Sequence, residues 1–196
     1  MQLKEFYVVG LGASAGGHQS LKEFFLNLPE QPGAAFVVVT HLHRNHFSIL
    51  DQMISKFTGM RVVRIAGGEQ ILPNYVYVMP EKVKVEIRSN RFILRSRLSE
   101  EVVNKTIDTF FHSLGKEMGR RAVGIVFSGM GSDGYEGVQT IHKHGGIVLV
   151  QDPHSAEFKG MPETIINRNS PDAVLPPSEL ASGLMSLILE SKSALE

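Results

Sequence analysis

The chain contains no cysteine among its 196 residues. This absence excludes disulfide bonds and a thiol nucleophile, and it agrees with a reducing compartment. Net charge is also absent, because 20 acidic residues balance 20 basic residues at pH 7. A neutral surface has no general attraction for nucleic acid or for an anionic membrane, so we expect neither as a partner.

Long apolar runs are missing as well. No run approaches the roughly 20 residues that a membrane-spanning helix needs, and the first residues lack the basic and apolar segments of a secretory signal. We therefore expect a cytoplasmic protein without membrane insertion. The length predicts one domain over residues 1–196, and a hydrophobic content of 42% is enough for a substantial core.

Apolar, β-branched segments alternate with amphipathic segments along the chain. Strands are predicted at residues 6–10, 35–40, 61–66, 122–127 and 146–151. Helices are predicted at residues 21–28, 47–57, 107–118, 134–144 and 178–189, the last with Ser178 as its N-cap. This alternation predicts an α/β fold in which helices cover both faces of a parallel sheet.

The segment from residue 76 to residue 97 has a different pattern. Val83, Val85 and Ile87 alternate with charged residues, and a second apolar run follows a Ser-Asn turn. Such alternation is typical of an antiparallel hairpin with one solvent-exposed face. We therefore expect a hairpin in addition to the parallel sheet.

Three loops that follow predicted strands carry chemically capable side chains. Ser14 follows the first strand among glycines and alanines, His41 ends the second, and Asp133 follows a later one. Ligands of open α/β sheets bind at the carboxyl ends of strands, where these residues would meet. A serine, a histidine and an aspartate can form a nucleophile, its base and a carboxylate that orients the base. The backbone N–H groups of Ala15 and Met130 are candidates for an oxyanion hole.

Each of these residues also has a purely structural interpretation. A serine between glycines is commonly a turn residue, and a histidine at a strand end is commonly structural. Asp133 precedes Gly134 and could cap the helix predicted there. The order Ser, His, Asp also differs from that of α/β-hydrolases. Three such residues, each just past a strand, nevertheless favour a shared site.

With these residues in place, the chain resembles the catalytic domain of the chemotaxis protein-glutamate methylesterase (CheB-type) family. The similarity extends from about Val8 to about Leu189 and includes segments 12–17, 40–42, 72–80, 129–134 and 158–162. It implies a three-layer α/β/α fold with a mostly parallel sheet of about seven strands. It also implies hydrolysis of γ-glutamyl methyl esters on receptor signalling domains with release of methanol, and in some members deamidation of glutamine.

The resemblance assigns roles to individual positions. Ser14 would be the nucleophile, His41 the general base and Asp133 the residue that orients His41. Met130 would contribute a backbone N–H to the oxyanion hole, together with Ala15. The resemblance implies neither a metal nor an organic cofactor.

The chain also departs from many family members. Ala15 stands where many members have threonine, and this sequence resembles the branch joined to methyltransferase modules. The first predicted strand begins near Phe6, so we expect no receiver domain before it. Control would then come in trans, from a methyltransferase or a receiver protein, or the chain would be constitutively active or part of a longer protein.

Three alternatives remain open at the sequence level. His41, His43 and His46 have the spacing of a zinc site, for which Asp108, His112, His142, His144, Asp152 and His154 are possible further ligands. Segment 10–15 fits a dinucleotide-binding fingerprint, although the second strand ends without the acidic residue this requires. The third alternative is a non-catalytic regulatory domain of the same fold.

Overall fold

The computed structural model describes residues 6–41, 48–97 and 105–193. The strands are β1 (Val8–Ala13), β2 (Ala35–Thr40), β3 (Arg61–Arg64), β4 (Tyr75–Val78), β5 (Val83–Arg88), β6 (Arg91–Ser96), β7 (Ala122–Val126), β8 (Ile147–Gln151) and β9 (Ala173–Leu175). The helices are α1 (Gly17–Leu26), α2 (Leu50–Ile54), α3 (Thr106–Met118), α4 (Tyr135–Lys143), α5 (Gly160–Asn169) and α6 (Pro177–Ser193). One short 3₁₀ turn, Gly119–Arg121, connects α3 to β7.

Seven strands form one sheet in the order β3-β4-β2-β1-β7-β8-β9, and β5 pairs with β6 in a separate hairpin. All pairs within the seven-stranded sheet are parallel, whereas β5 and β6 are antiparallel. The predicted α/β class, with about seven strands and a hairpin, is confirmed. Because β1 lies between β2 and β7, the loops after these three strands leave the sheet side by side.

Helices cover both faces of the sheet, which gives the predicted three layers. On one face α1, α2 and α6 bury residues such as Phe24 and Leu184. On the other face α3, α4 and α5, together with the hairpin, bury residues such as Phe111 and Met161. Each fully buried large apolar side chain in these layers contributes roughly 1.5–3 kcal/mol to folding.

Two glycines in β1 let α3 approach the sheet closely. A Cβ atom at Gly10 would lie 2.8 Å from a ring carbon of Phe111, and one at Gly12 would lie 2.7 Å from Ile107 Cγ2. Both glycines therefore have a packing role inside the strand. This placement contradicts the dinucleotide fingerprint, in which the glycines form the phosphate-binding turn after the strand.

Several local predictions were wrong. β4 is a parallel strand of the main sheet between β2 and β3, although the sequence analysis placed residue 76 in the hairpin region. Helix α5 and strand β9 were not predicted. Ser178 is the second residue of α6 and not its N-cap. The helix predicted at 47–57 is shorter, Leu50–Ile54, and its predicted start lies outside the described residues.

None of the helices in the described ranges is long and apolar enough to cross a membrane.

Candidate active site

Ser14, His41 and Asp133 come together at the carboxyl edge of the sheet. Ser14 Oγ lies 3.0 Å from His41 Nδ1, and His41 Nε2 lies 2.6 Å from Asp133 Oδ2. The three residues follow β1, β2 and β7, which are neighbours in the sheet. The arrangement is a continuous hydrogen-bonded chain from a hydroxyl through an imidazole to a carboxylate.

The imidazole of His41 uses both of its nitrogens in this chain. With the proton on Nε2, that nitrogen donates to Asp133 and leaves the lone pair of Nδ1 to accept the Ser14 hydroxyl proton. In serine proteases the catalytic serine faces Nε2 and the aspartate faces Nδ1. Here the two nitrogens have exchanged partners, because Ser14 faces Nδ1 and Asp133 faces Nε2. The His41 side chain is 20% exposed and that of Asp133 is 4% exposed, so the imidazole is open to solvent while its partner is shielded from water.

Asp133 is held by backbone groups as well as by His41. Its Oδ2 accepts the N–H of Ile107 and its Oδ1 accepts that of Asp108, each at 2.9 Å. These are N–H groups of the first turn of α3, so Asp133 acts as a cap supplied from another part of the chain. Its Oδ1 also accepts the N–H of Gly134 at 2.9 Å. The positive end of the α3 dipole therefore points at the carboxyl group that faces His41.

Asp133 therefore caps a helix, as the structural interpretation predicted, but the helix is α3 and not α4. The cap position of α4 is occupied by Gly134, whose φ of 97° suits a glycine, and Asp133 caps α3. Capping and orientation of His41 coexist in one carboxylate because its two oxygens accept four hydrogen bonds.

A second carboxylate, Asp108, lies beside Asp133. Asp108 is 4% exposed, and its Oδ1 accepts the N–H of Gly137 at 2.8 Å. Burial raises the pKa of Asp108 from 3.8 to about 6, and the negative charge of Asp133 adds to this effect. From the sequence, Asp108 was predicted only as a possible metal ligand, and its place in the first turn of a predicted helix was the one signal of another role.

The loop that carries Ser14 is fixed by Ser128. The Ser14 N–H donates to Ser128 O at 3.0 Å. The Ser128 hydroxyl, which is fully buried, donates to Ala15 O at 2.8 Å and accepts the N–H of Phe158 at 3.0 Å. Ser128 thus joins the loops that follow β1, β7 and β8.

Gln151 supports this junction from the end of β8. Its Oε1 accepts the Ser128 N–H at 2.9 Å, and its Nε2 donates to Ser155 O at 3.0 Å. Neither Ser128 nor Gln151 was predicted from the sequence to support the site. A buried glutamine at the end of an apolar strand could have indicated such a role, because buried amides require partners.

Ala15 and Met130 lie in the two glycine-rich loops next to Ser14. Within the described part of the chain, the backbone N–H groups of these two residues donate no hydrogen bond. Gly129, which precedes Met130, is so close to Ser14 that a Cβ atom on it would lie 3.0 Å from Ser14 Cβ. These two loops thus carry N–H groups with no acceptor among the described residues, and their use as an oxyanion hole stays a prediction.

Helix α5 begins against the same loops. The Met161 N–H donates to Gly129 O at 2.9 Å. A Cβ atom on Gly160 would lie 3.0 Å from the Gly131 nitrogen, so only glycine fits there without displacement. Pro162 lies in the first turn of α5, a position that tolerates proline and that marks the start of this helix in the sequence.

The three-histidine alternative falls partly outside the described residues, because His43 and His46 lie there. Among the described residues no group of three or more His, Asp or Glu side chains is arranged to hold a metal ion. His41 would have to give up Ser14 or Asp133 to ligate one, since both of its nitrogens are engaged.

Comparison with known proteins identifies the family of this chain. The family model for CheB methylesterase matches residues 9–184, which is most of the chain. The chain belongs to the CheB methylesterase family. The crystal structure of the Thermotoga maritima CheB methylesterase catalytic domain superposes with a TM-score of 0.86 at 25% identity, and the match covers 93% of this chain and 99% of that one.

Curated relatives of the CheB methylesterase family carry a two-part name. The "protein-glutamate methylesterase/protein-glutamine glutaminase 3" of Paramagnetospirillum magneticum is 32% identical over 92% of this chain and 51% of its own length. A second such protein, from Methanospirillum hungatei, is 32% identical over 94% of this chain and 53% of its own length. The chain thus spans about half the length of the curated relatives it matches. The family predicted from the sequence motifs is confirmed.

Proposed function

We propose that this chain hydrolyses γ-glutamyl methyl esters on receptor-like signalling proteins and releases methanol. The observation that carries the proposal is the chain of contacts from Ser14 through His41 to Asp133 at the carboxyl edge of the sheet. Membership in the CheB methylesterase family supports the choice of ester. In this proposal residues 1–196 act as a single catalytic domain.

In the first half of the reaction Ser14 Oγ attacks the ester carbonyl carbon while His41 Nδ1 takes the hydroxyl proton. The imidazolium is stabilised by Asp133 through Nε2–H. The carbonyl oxygen becomes an oxyanion, which the N–H groups of Ala15 and Met130 would stabilise. The C–O bond to the methoxy group then breaks, and His41 returns the proton, so methanol leaves and an acyl-enzyme remains.

In the second half a water molecule replaces the alcohol. His41 Nδ1 removes a proton from the water as the oxygen attacks the acyl carbon, and it then protonates Ser14 Oγ as the acyl bond breaks. The products are a glutamate side chain and free Ser14. The scheme needs no metal and no organic cofactor.

The same residues support deamidation of glutamine side chains. A primary amide differs from the methyl ester only in the leaving group, which becomes ammonia after protonation by His41. Relatives named both methylesterase and glutaminase support this second activity.

We further propose that the substrate is a methylated receptor signalling domain and that control acts in trans. A receiver protein or a methyltransferase would be the controlling partner. The relatives are about twice as long as this chain, so their additional part could supply such a function when present.

The test is release of methanol from a purified receptor signalling domain that carries methyl esters, with and without a chelator. A parallel sample with glutamine at the same positions is assayed for ammonia. Chelator-insensitive methanol release supports the proposal. Chelator-sensitive release would favour a metal-dependent hydrolase, and no release by folded protein would favour a non-catalytic regulatory domain.

A further inference from the structure

Asp108 is a buried carboxyl group that the proposed reaction does not use. It lies in the first turn of α3 and is 4% exposed. Burial of an acidic group without a basic partner costs free energy, so its presence at this place requires a compensating contact. That contact is with the helix that follows the Asp133 loop.

Asp108 and Asp133 cap each other's helices. Asp133, which directly precedes the N-cap of α4, accepts N–H groups of Ile107 and Asp108 at the N-terminus of α3. In return Asp108, on α3, accepts the N–H of Gly137 in the first turn of α4 at 2.8 Å. The two helix N-termini are therefore joined by a reciprocal pair of carboxylates.

Helices α3 and α4 pack so closely that the two carboxylate caps depend on how the helices lie against each other. A Cβ atom on Gly137 would lie 2.4 Å from Phe111 Cβ and 3.2 Å from Asp108 Cα. A Cβ atom on Gly115 would lie 2.9 Å from Ile141 Cα. Since backbone meets backbone at both points, a shift of one helix along the other would move the loop that carries Asp133.

The charges around Asp108 come from both helices. Asp133 and Glu136 raise its pKa, Lys105 lowers it, and the Gly137 N–H also lowers it. Lys105 is itself engaged, because its Nζ lies 2.8 Å from Glu136 Oε1 on α4. Asp108 therefore changes charge near pH 6.

We propose that Asp108 is a positioning residue for the catalytic triad. Its carboxyl group holds the first turn of α4 against the N-terminus of α3 and thereby fixes the Asp133 carboxylate toward His41. Asp108 touches neither Ser14 nor a substrate and acts through Asp133. The inference rests on the proposed Ser14–His41–Asp133 mechanism.

The first experiment measures how fast a fluorophosphonate probe labels Ser14 at pH 8. Asp108→Ala removes the acceptor for the Gly137 N–H, and labelling should slow about 10- to 100-fold, as for a misplaced catalytic group. Asp108→Asn keeps an acceptor oxygen and should retain most of the rate. Ser113→Ala is the matched control, because Ser113 Oγ accepts the Ile87 N–H at 2.9 Å on the same helix, away from the triad.

The Ser113→Ala variant should lose thermal stability without losing labelling rate. A wild-type rate in Asp108→Ala, or an equal loss in Asp108→Ala and Ser113→Ala, would overturn the proposal. Labelling of Ser14→Ala, or none in the wild type, would instead contradict the proposed function, which keeps the two failures distinguishable.

The second experiment does not depend on the folding of Asp108→Ala. The ring nitrogens of His41 and the amide of Gly137 are followed by NMR from pH 5 to pH 8 in the wild type and in Asp108→Asn. We expect the Gly137 amide to follow the titration of Asp108 near pH 6 in the wild type and to lose that inflection in the variant, while the His41 ring signals at pH 8 stay close to their wild-type positions. A wild-type Gly137 amide without this inflection would overturn the proposal, because Asp108 would then not hold α4. His41 ring signals that leave their wild-type positions at pH 8 in Asp108→Asn, which keeps the acceptor oxygen, would overturn it as well.

Discussion

His41 Nε2 lies 2.6 Å from Asp133 Oδ2, and that same carboxylate oxygen accepts the N–H of Ile107 at the start of α3. One side chain therefore orients the base and caps a helix. Under the proposed mechanism its removal affects both catalysis and stability, and the two effects can be measured separately.

Replacement Asp133→Asn tests this double role. The amide cannot accept all the backbone donors, and its NH₂ group favours the wrong tautomer of His41. We expect turnover to fall by about 10⁴-fold, as for the corresponding change in a serine protease, and the free energy of unfolding to fall by about 1–3 kcal/mol. Methanol release measures turnover, and chemical denaturation measures the free energy of unfolding. A variant with normal turnover and reduced stability would make Asp133 a cap alone.

The raised pKa of Asp108 predicts how stability depends on pH. Because its folded-state pKa is about 6 and its usual value is 3.8, the folded protein binds the proton more tightly than the unfolded chain. The stabilisation that the protonated Asp108 gives the folded state is therefore fully present below about pH 4. It is lost as the pH rises through about 6. The free energy of unfolding of Asp108→Asn should therefore rise relative to that of the wild type by up to about 3 kcal/mol as the pH increases over that range.

Glu81 provides a control of opposite sign for this titration. Burial opposes its ionisation, but hydrogen bonds from the backbone of Ser48 and of Glu81 itself, and the charge of Arg64, lower its pKa overall. The stabilisation that the ionised Glu81 side chain gives the folded state should therefore weaken as the pH falls through its folded-state pKa. Urea unfolding of Glu81→Gln and Asp108→Asn between pH 3.5 and pH 7 should show difference curves that run in opposite directions. A flat curve for Asp108→Asn would contradict the assigned shift.

Ser128→Ala tests the junction behind the nucleophile loop. Loss of the hydroxyl leaves Ala15 O and the Phe158 N–H without their buried partner, so we expect a loss of about 1–3 kcal/mol of stability. Turnover should also fall, because the loop around Ser14 is no longer fixed. Ser182→Ala removes an exposed hydroxyl on α6 and should change stability by no more than about 0.5 kcal/mol. Equal effects of the two variants would contradict the role of Ser128 in fixing the loop around Ser14.

Ala15→Thr tests the departure from the family pattern. The position is half-buried and its amide is one of the proposed oxyanion donors. We expect the threonine variant to retain or exceed the wild-type rate of methanol release, because the added hydroxyl would restore a group that many members carry near the histidine. A collapse of activity in a folded variant would mean that the loop has repacked around alanine.

Much of the fold could be predicted from the sequence where burial is complete. The strands β1, β2 and β7 are continuous apolar runs, and the side chains that follow them proved to be neighbours. The residues Tyr75–Val78 and Ala173–Leu175 are short strands whose pairing depends on distant neighbours, so local pattern could not assign them. Propensity is a weak guide for such segments.

The meeting of Ser14, His41 and Asp133 could be predicted because each of them follows a strand, whereas the residues that support them could not. Ser128, Gln151 and Asp108 act through hydrogen bonds to backbone groups that are remote in the chain. Nothing in residue type or spacing indicates which backbone group a buried side chain will face. Only the packing of α3 against α4 reveals the reciprocal caps.

The most direct test of the central claim compares methanol release by the wild type, Ser14→Ala and His41→Ala on one methylated receptor signalling domain. Circular dichroism establishes that each variant is folded. We predict release by the wild type and a loss of several orders of magnitude in each variant, because the triad acts as a unit. Undiminished release by folded Ser14→Ala would contradict a serine nucleophile and with it the proposed mechanism.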